Sequence, residues 1–162
     1  VARLAERVAP LEIDALYTSP IERARQTAAA IARVLKLQPI DCDPLGALQY
    51  GDWTGAPRSV LERDPRFSRF NHFRSGTRIP NGETMLEVQT RAVAELLRLR
   101  DRHVGQTLAL VSHGDVIKAI ALYVLGMSLD LCSRIEVGPA SITCIEIDPD
   151  GVRLMCLNAS VE

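Results

Sequence analysis

TLALVSHGDVIKAIALYVLG, residues 107–126, is the stretch on which the fold turns. The run from Leu108 to Val111 is short and apolar, as a buried strand is. It stops at Ser112-His113-Gly114, and an apolar pattern of helical period runs from about Asp115 to Gly126. A buried strand feeding a helix is half of a parallel α/β unit, and such sheets bind ligands at the carboxyl edge of their strands. His113 stands at that edge, in a chain with only three histidines.

The same pattern occurs upstream. DALYTS (14–19) predicts a strand, and PIERARQTAAAIARVLKL (20–37) a helix with Ile21, Ala24, Ala28, Ile31 and Leu35 on one stripe. Ser19 at the N-cap, Pro20 at the first position and Glu22 at the third predict a capping box. QPIDCD (38–43) predicts a further strand, and residues 44–82, rich in Gly, Pro and Arg, a long excursion with two short helices. A long amphipathic helix is expected from Glu83 to before Gly105. SITCIEID (141–148) and VRLMCLNA (152–159) flank Pro149-Asp150-Gly151, a hairpin turn. VARLAERVAP (1–10), with Leu4 and Val8 one turn apart, opens the chain as a helix. Strands alternating with helices predict an α/β fold: a three-layer α/β/α sandwich with a mostly parallel sheet, in one domain spanning 1–162.

Composition narrows the function. The chain has 162 residues, 47% hydrophobic and 24% charged, which is enough for one globular core. A net charge of -1 without a basic cluster argues against a nucleic-acid partner. No apolar run reaches the roughly 20 residues of a membrane span. Cys42, Cys132, Cys144 and Cys156 show no C-x-x-C spacing, which argues against zinc. Cys144 and Cys156 are expected to be buried free thiols, as in a reducing cytoplasm.

Sequence order alone brings Arg23 and His113 to one rim of the sheet. A cation in the first turn of a helix is unfavourable by roughly 0.3–1 kcal/mol. A bound anion reverses that sign, and arginine grips phosphate oxygens bidentately. The alternative is that Arg23 pairs with Glu22 or Asp14. His113 can donate to an oxyanion, or simply bond a neighbouring carbonyl. Gly114 permits close backbone approach, and Ser112 adds a hydroxyl.

SPIERARQTA (19–28), YGDWTG (50–55), RIPNGET (78–84) and VSHGD (111–115), in that order, resemble the histidine phosphatase superfamily, the phosphoglycerate mutase-like proteins. The short excursion resembles the small bacterial phosphatases more than the glycolytic mutases. The resemblance implies that Arg23 clamps a phosphoryl group and that His113 hydrogen-bonds it during transfer. It implies that Arg78 and Glu83 edge the pocket, as in the family's R-x-P-G-G-E-S stretch, from which Asn81 and Thr84 depart. It also implies two-step covalent catalysis through a phosphohistidine on small phosphomonoesters, without metal or cofactor.

Two family features are missing. The nucleophilic histidine of the family lies in an arginine-histidine-glycine triplet on a central first strand, and no such triplet occurs here. The general-acid glutamate, four residues before the glycine of GDW, is replaced by Ala47. Glu83 and Asp52 are the substitutes to consider. His72 lies in the excursion, and His103 is expected to be solvated beside Arg100 and Arg102. Without the central strand, two neighbours keep open edges. Three readings follow: an incomplete chain, a gap filled by another strand or a second copy in a homo-oligomer, or a relative that binds phosphate without turning it over.

Overall fold

A computed structural model describes residues 2–160. α1 (Ala2–Val8) is followed by β1 (Ala15–Thr18), α2 (Glu22–Leu35) and β2 (Pro39–Asp41). The excursion holds two 3-10 turns, at Asp43–Leu45 and Gly51–Trp53, and two short helices, α3 (Arg58–Leu61) and α4 (Pro65–His72). Then come α5 (Met85–Arg102), β3 (Leu108–Val111), α6 (Gly114–Val124), a 3-10 segment at Leu129–Arg134, and the strands β4 (Ile142–Asp148) and β5 (Gly151–Ala159).

β1, β2 and β3 form a parallel sheet in the order β2-β1-β3. Alternation along its strands sets the layers. Leu16, Ala109 and Val111 pack with Leu4, Val8, Ala28 and Ile31 of α1 and α2. Tyr17, Leu108 and Leu110 pack on the other face with Leu99 of α5. The long helix α5 buries Met85, Val88, Ala92 and Leu99, and α6 buries Val116, Ala119, Ile120 and Leu122 beside it. This is the expected α/β/α sandwich with a parallel sheet.

β4 and β5 form a separate antiparallel hairpin. It lies between the same helical layers: Ile142 joins the α1/α2 cluster, while Ile145 and Leu157 join the α5/α6 cluster. Between β3 and β4 runs a cleft of about 1760 Å³. No strand pairs with the outer edges of β3 and β4 among the described residues. The gap expected for a missing central strand therefore has a definite place.

Several local expectations shift. α2 starts at Glu22 with Ile21 as its N-cap, and no side chain caps it. Ser19 is fully buried and turns inward instead. α5 starts at Met85, because Thr84 and Glu87 form the capping box: Thr84 Oγ1 accepts from Glu87 N at 3.1 Å, and Thr84 N donates to Glu87 Oε2 at 2.8 Å. Cys144 is exposed and Cys156 half-buried, contrary to expectation, because Cys144 opens onto the cleft. Among the described residues no helix is long and apolar enough to cross a membrane.

Hydrogen exchange on this chain is expected to be slowest in β1, which has a strand on both sides, and faster in β3 and β4 along the cleft. Equal protection of all three would show that the cleft is closed in solution. Leu122→Ala, in the complete core on the α5/α6 side, is expected to cost about 2–5 kcal/mol in denaturant melts.

Candidate active site

Register decides where the site lies. Thr18 is paired with Val111, and Ser19 N donates to Val111 O at 2.9 Å. The two strand-to-helix junctions, Ser19–Arg23 and Ser112–Asp115, therefore lie side by side. Ser19 Oγ accepts from Ile21 N at 3.2 Å and lies 2.8 Å from His113 Nε2. The serine that looks like a helix cap in the sequence instead orients the histidine.

Arg23 and His113 line the same cleft at its rim, with Ser112 and Gly114. Arg23 is the second residue of α2. Its guanidinium has no hydrogen-bond or ion-pair partner among the described residues. Glu22 instead accepts from Gln26 at 2.8 Å, and Asp14 accepts from Thr107 N at 2.8 Å. The neighbouring Arg25 differs, pairing with Asp41 at 2.5 Å. Arg23 is thus an unneutralised cation in the first turn of a helix, beside amides that have no helical acceptor.

Burial pushes the His113 imidazole down to about 4, and the charges of Arg23 and Arg91 push the same way against Asp115. Its ring is neutral at pH 7 and offers one N–H and one acceptor nitrogen. Ser112 sends its hydroxyl to Leu45 O at 2.7 Å, fixing the 3-10 turn against the end of β3. A Cβ on Gly114 would meet only Val137 O, at 3.7 Å, so no backbone within the described residues crowds it.

Arg78 and Glu83 do not line the cleft. Arg78 pairs with Glu87 at 2.5 Å and donates to Gly82 O. Glu83 accepts from Arg91 through both oxygens, at 2.9 and 3.1 Å, and from Gln49 N at 3.0 Å. Arg91 also donates to Pro44 O and Ala47 O, and so anchors the loop that carries Ala47. Nothing in the sequence distinguishes Arg91 from the solvated face of its helix.

The motifs YGDWTG and RIPNGET prove to be two sides of one contact. Asp52 N donates to Pro80 O at 2.9 Å and Glu83 N to Gln49 O at 3.0 Å. A Cβ on Gly51, at φ 45°, would lie 2.1 Å from Pro80 O, and one on Gly82 2.3 Å from Gln49 O. Asn81 takes a left-handed φ of 53°, which asparagine tolerates, and donates to both oxygens of Asp52. Asp52 is thereby occupied.

The remaining histidines are engaged with other partners. His72 bonds Ser68 O within α4. His103 is half-buried rather than solvated, because Tyr17 Oη lies 2.8 Å from its Nε2 and Gln106 Oε1 lies 2.6 Å from its Nδ1. Sequence reasoning passed over Tyr50, Arg74 and Asp115. Tyr50 Oη donates to Asp115 Oδ2 and Arg74 Nη1 to Asp115 Oδ1, each at 3.0 Å. The motifs contain Tyr50 and Asp115, but only the fold shows that they meet. No three His, Cys, Asp or Glu side chains gather as metal ligands would among the described residues.

The His113 ring is expected to titrate by NMR with a midpoint near 4. Its folded value lies below its unfolded value of 6.5, so its contribution to stability is complete above 6.5 and is lost as pH falls toward 4. A midpoint at or above 6.5 would mean that the ring is neither buried nor beside the two arginines.

Known proteins agree with this geometry. The family model of the histidine phosphatase superfamily (branch 1) matches residues 1–160. Phosphoserine phosphatase 1 of Hydrogenobacter thermophilus is 30% identical over 128 residues, covering 78% of this chain and 61% of that protein. An uncharacterised phosphatase, PhoE of Bacillus subtilis, is 29% identical over 128 residues, covering 79% of this chain and 62% of that protein. The chain thus spans about three fifths of the length of these relatives. The solved YhfR of Bacillus stearothermophilus superposes with a TM-score of 0.90 at 29% identity, covering 99% of this chain and 82% of that one. A phosphoserine phosphatase from Entamoeba histolytica, solved with phosphoserine, shares the fold at TM-score 0.87 and 23% identity, covering 97% and 79% of the two chains. With both junction motifs at one rim and the match running along the described sequence, the chain belongs to the histidine phosphatase superfamily.

Proposed function

We propose that this chain forms the phosphate-holding half of a phosphatase for small phosphorylated molecules that works through a phosphohistidine. One observation carries the reading: an arginine with no partner among the described residues and a half-buried, neutral histidine share one open rim at the start of a helix. Arg23 and the first amides of α2 suit the oxygens of a phosphoryl dianion. His113, oriented by Ser19, suits a hydrogen bond to the same group as charge moves onto it. Inorganic phosphate, the product, would bind in the same place. Ser112 and Gly114 shape the rim, while Arg78 and Glu83 brace the loops at its border.

The nucleophile in this scheme is a second imidazole. It would arrive on a strand lying in the cleft between β3 and β4, whose end reaches the rim beside His113. Such a strand would also cover the open edges, and a second copy of the chain is one source of it. A second reading is phosphate binding without turnover. It is favoured by Ala47 at the acid position and by the existing partners of the other histidines, Ser68 O for His72 and Tyr17 and Gln106 for His103.

The full natural protein is expected to hydrolyse p-nitrophenyl phosphate and to trap acid-labile phosphate on histidine. Arg23→Ala and His113→Ala should each reduce kcat/KM by roughly 10²–10³-fold, the range for loss of one preorganised donor. Undiminished activity in the double variant would end the proposal. Thermal stabilisation by sulfate or vanadate without any turnover would select the binding reading.

A further inference from the structure

His113 is clasped by one segment of the excursion. Ser112, just before it, donates to Leu45 O at 2.7 Å. Asp115, two residues after it, accepts from the Tyr50 phenol at 3.0 Å. Residues 44–50 therefore bridge the junction from β3 to α6 on both sides of the histidine. Leu45 is itself buried with Tyr17 and Leu99, so the bridge rests on the sheet and on α5.

That segment has a common anchor. Arg91 of α5 donates to Pro44 O at 2.5 Å and to Ala47 O at 3.2 Å. Its other bonds go to the two oxygens of Glu83, at 2.9 and 3.1 Å. Glu83 in turn accepts from Gln49 N at 3.0 Å, and its own amide donates to Gln49 O at 3.0 Å. One guanidinium thus holds the segment at Pro44 and Ala47 directly and at Gln49 through Glu83. The Arg91 and Glu83 side chains are 24% and 15% exposed, so salt and water screen the pair little. The bonds leave Nε, Nη1 and Nη2 in different directions. That suits the planar fork of arginine, and the single ammonium of lysine cannot span them.

We infer that Arg91 is a positioning residue of this site: through residues 44–50 it fixes His113 at the rim, without touching the phosphoryl group itself. The inference rests on the reading of Arg23 and His113 as the phosphate-holding pair. A shift of the Pro44 and Ala47 carbonyls carries Leu45 O with it and loosens Ser112 beside the histidine. A misplacement of about 1 Å at a reacting centre costs on the order of 10²-fold in rate. Charge supplies a second link. Arg23 from α2 and Arg91 from α5 both push the His113 imidazole down, after burial, while Asp115 on its own helix, paired with Arg74, pushes it up. Of the other charged groups along these elements, Glu22 precedes Arg23, Lys118 lies one turn along α6, and Glu136 precedes Val137, which lies near Gly114. Removing the Arg91 charge should therefore raise the His113 midpoint above about 4, while burial and Arg23 keep it below 6.5.

The test compares Arg91→Gln, Arg91→Lys, Ser112→Ala and the Arg91→Gln/Ser112→Ala double variant in the full natural protein. Turnover of p-nitrophenyl phosphate is read per folded molecule, and the His113 midpoint by NMR. Arg91→Gln should lower kcat by about 10²-fold with KM little changed, because the donor it displaces acts in the transition state. It should also raise the midpoint. Arg91→Lys keeps the cation and loses the fork, so kcat should fall while the midpoint stays near 4. Ser112→Ala should lower kcat, and the double variant should fall no further than about the larger single loss, since both act on one segment. Losses that multiply would overturn the inference, as would an Arg91→Gln protein of lower Tm whose kcat and midpoint are unmoved. If Arg91→Gln does not fold, undiminished kcat in Arg91→Lys would overturn it. If the natural protein turns over nothing, the phosphatase reading fails by itself. The inference is then decided by orthovanadate, whose stabilisation of the protein should be lost in Arg91→Lys, and undiminished stabilisation would overturn it.

Discussion

The pairing of β1 with β3, in the register that sets Thr18 against Val111, is the constraint on which the site depends. Each strand is followed by a serine and then turns into a helix. Pairing them in parallel places two helix starts and two loops at one edge. A slip of one residue would send Leu16 and Tyr17 to the wrong layers and separate Ser19 from His113. The register is held by side chains on both faces, Leu16 and Val111 toward α1 and α2, Tyr17 and Leu110 toward α5. Packing and site geometry are therefore one property of this sheet.

Much of this was legible in the sequence, for physical reasons. The strand-helix alternation survives because buried parallel strands are continuous apolar runs and their helices carry a clear stripe. Arg23 was legible because a cation in a first helical turn needs an explanation, and no side chain among the described residues pairs with it. Other features were hidden. Ser19 has the chemistry of a cap, and only its complete burial shows that it serves His113 instead. Arg91 looks like a solvated residue of α5, although it holds the Ala47 loop and Glu83. Asn81 and Thr84 look like departures from a motif. One takes a left-handed turn and binds Asp52, and the other builds the cap of α5.

The loops around the rim are held by the carboxylates of the motifs. Asp115, Glu83 and Asp52 serve as partners for Arg74, Arg91 and Asn81. Those pairings make the loops rigid, since each closes a contact between segments distant in sequence. Asp52, Glu83 and Asp115 thus work as braces.

The central claim is that Arg23 and His113 hold one oxyanion between them. Orthovanadate soaked into crystals of the full natural protein addresses it directly. The vanadate should lie at the start of α2, with the Arg23 guanidinium and the His113 ring both within about 3.2 Å of its oxygens. Vanadate bound to only one of them, or an empty rim at saturating concentration, would show that the two side chains share an edge of the sheet but not a ligand.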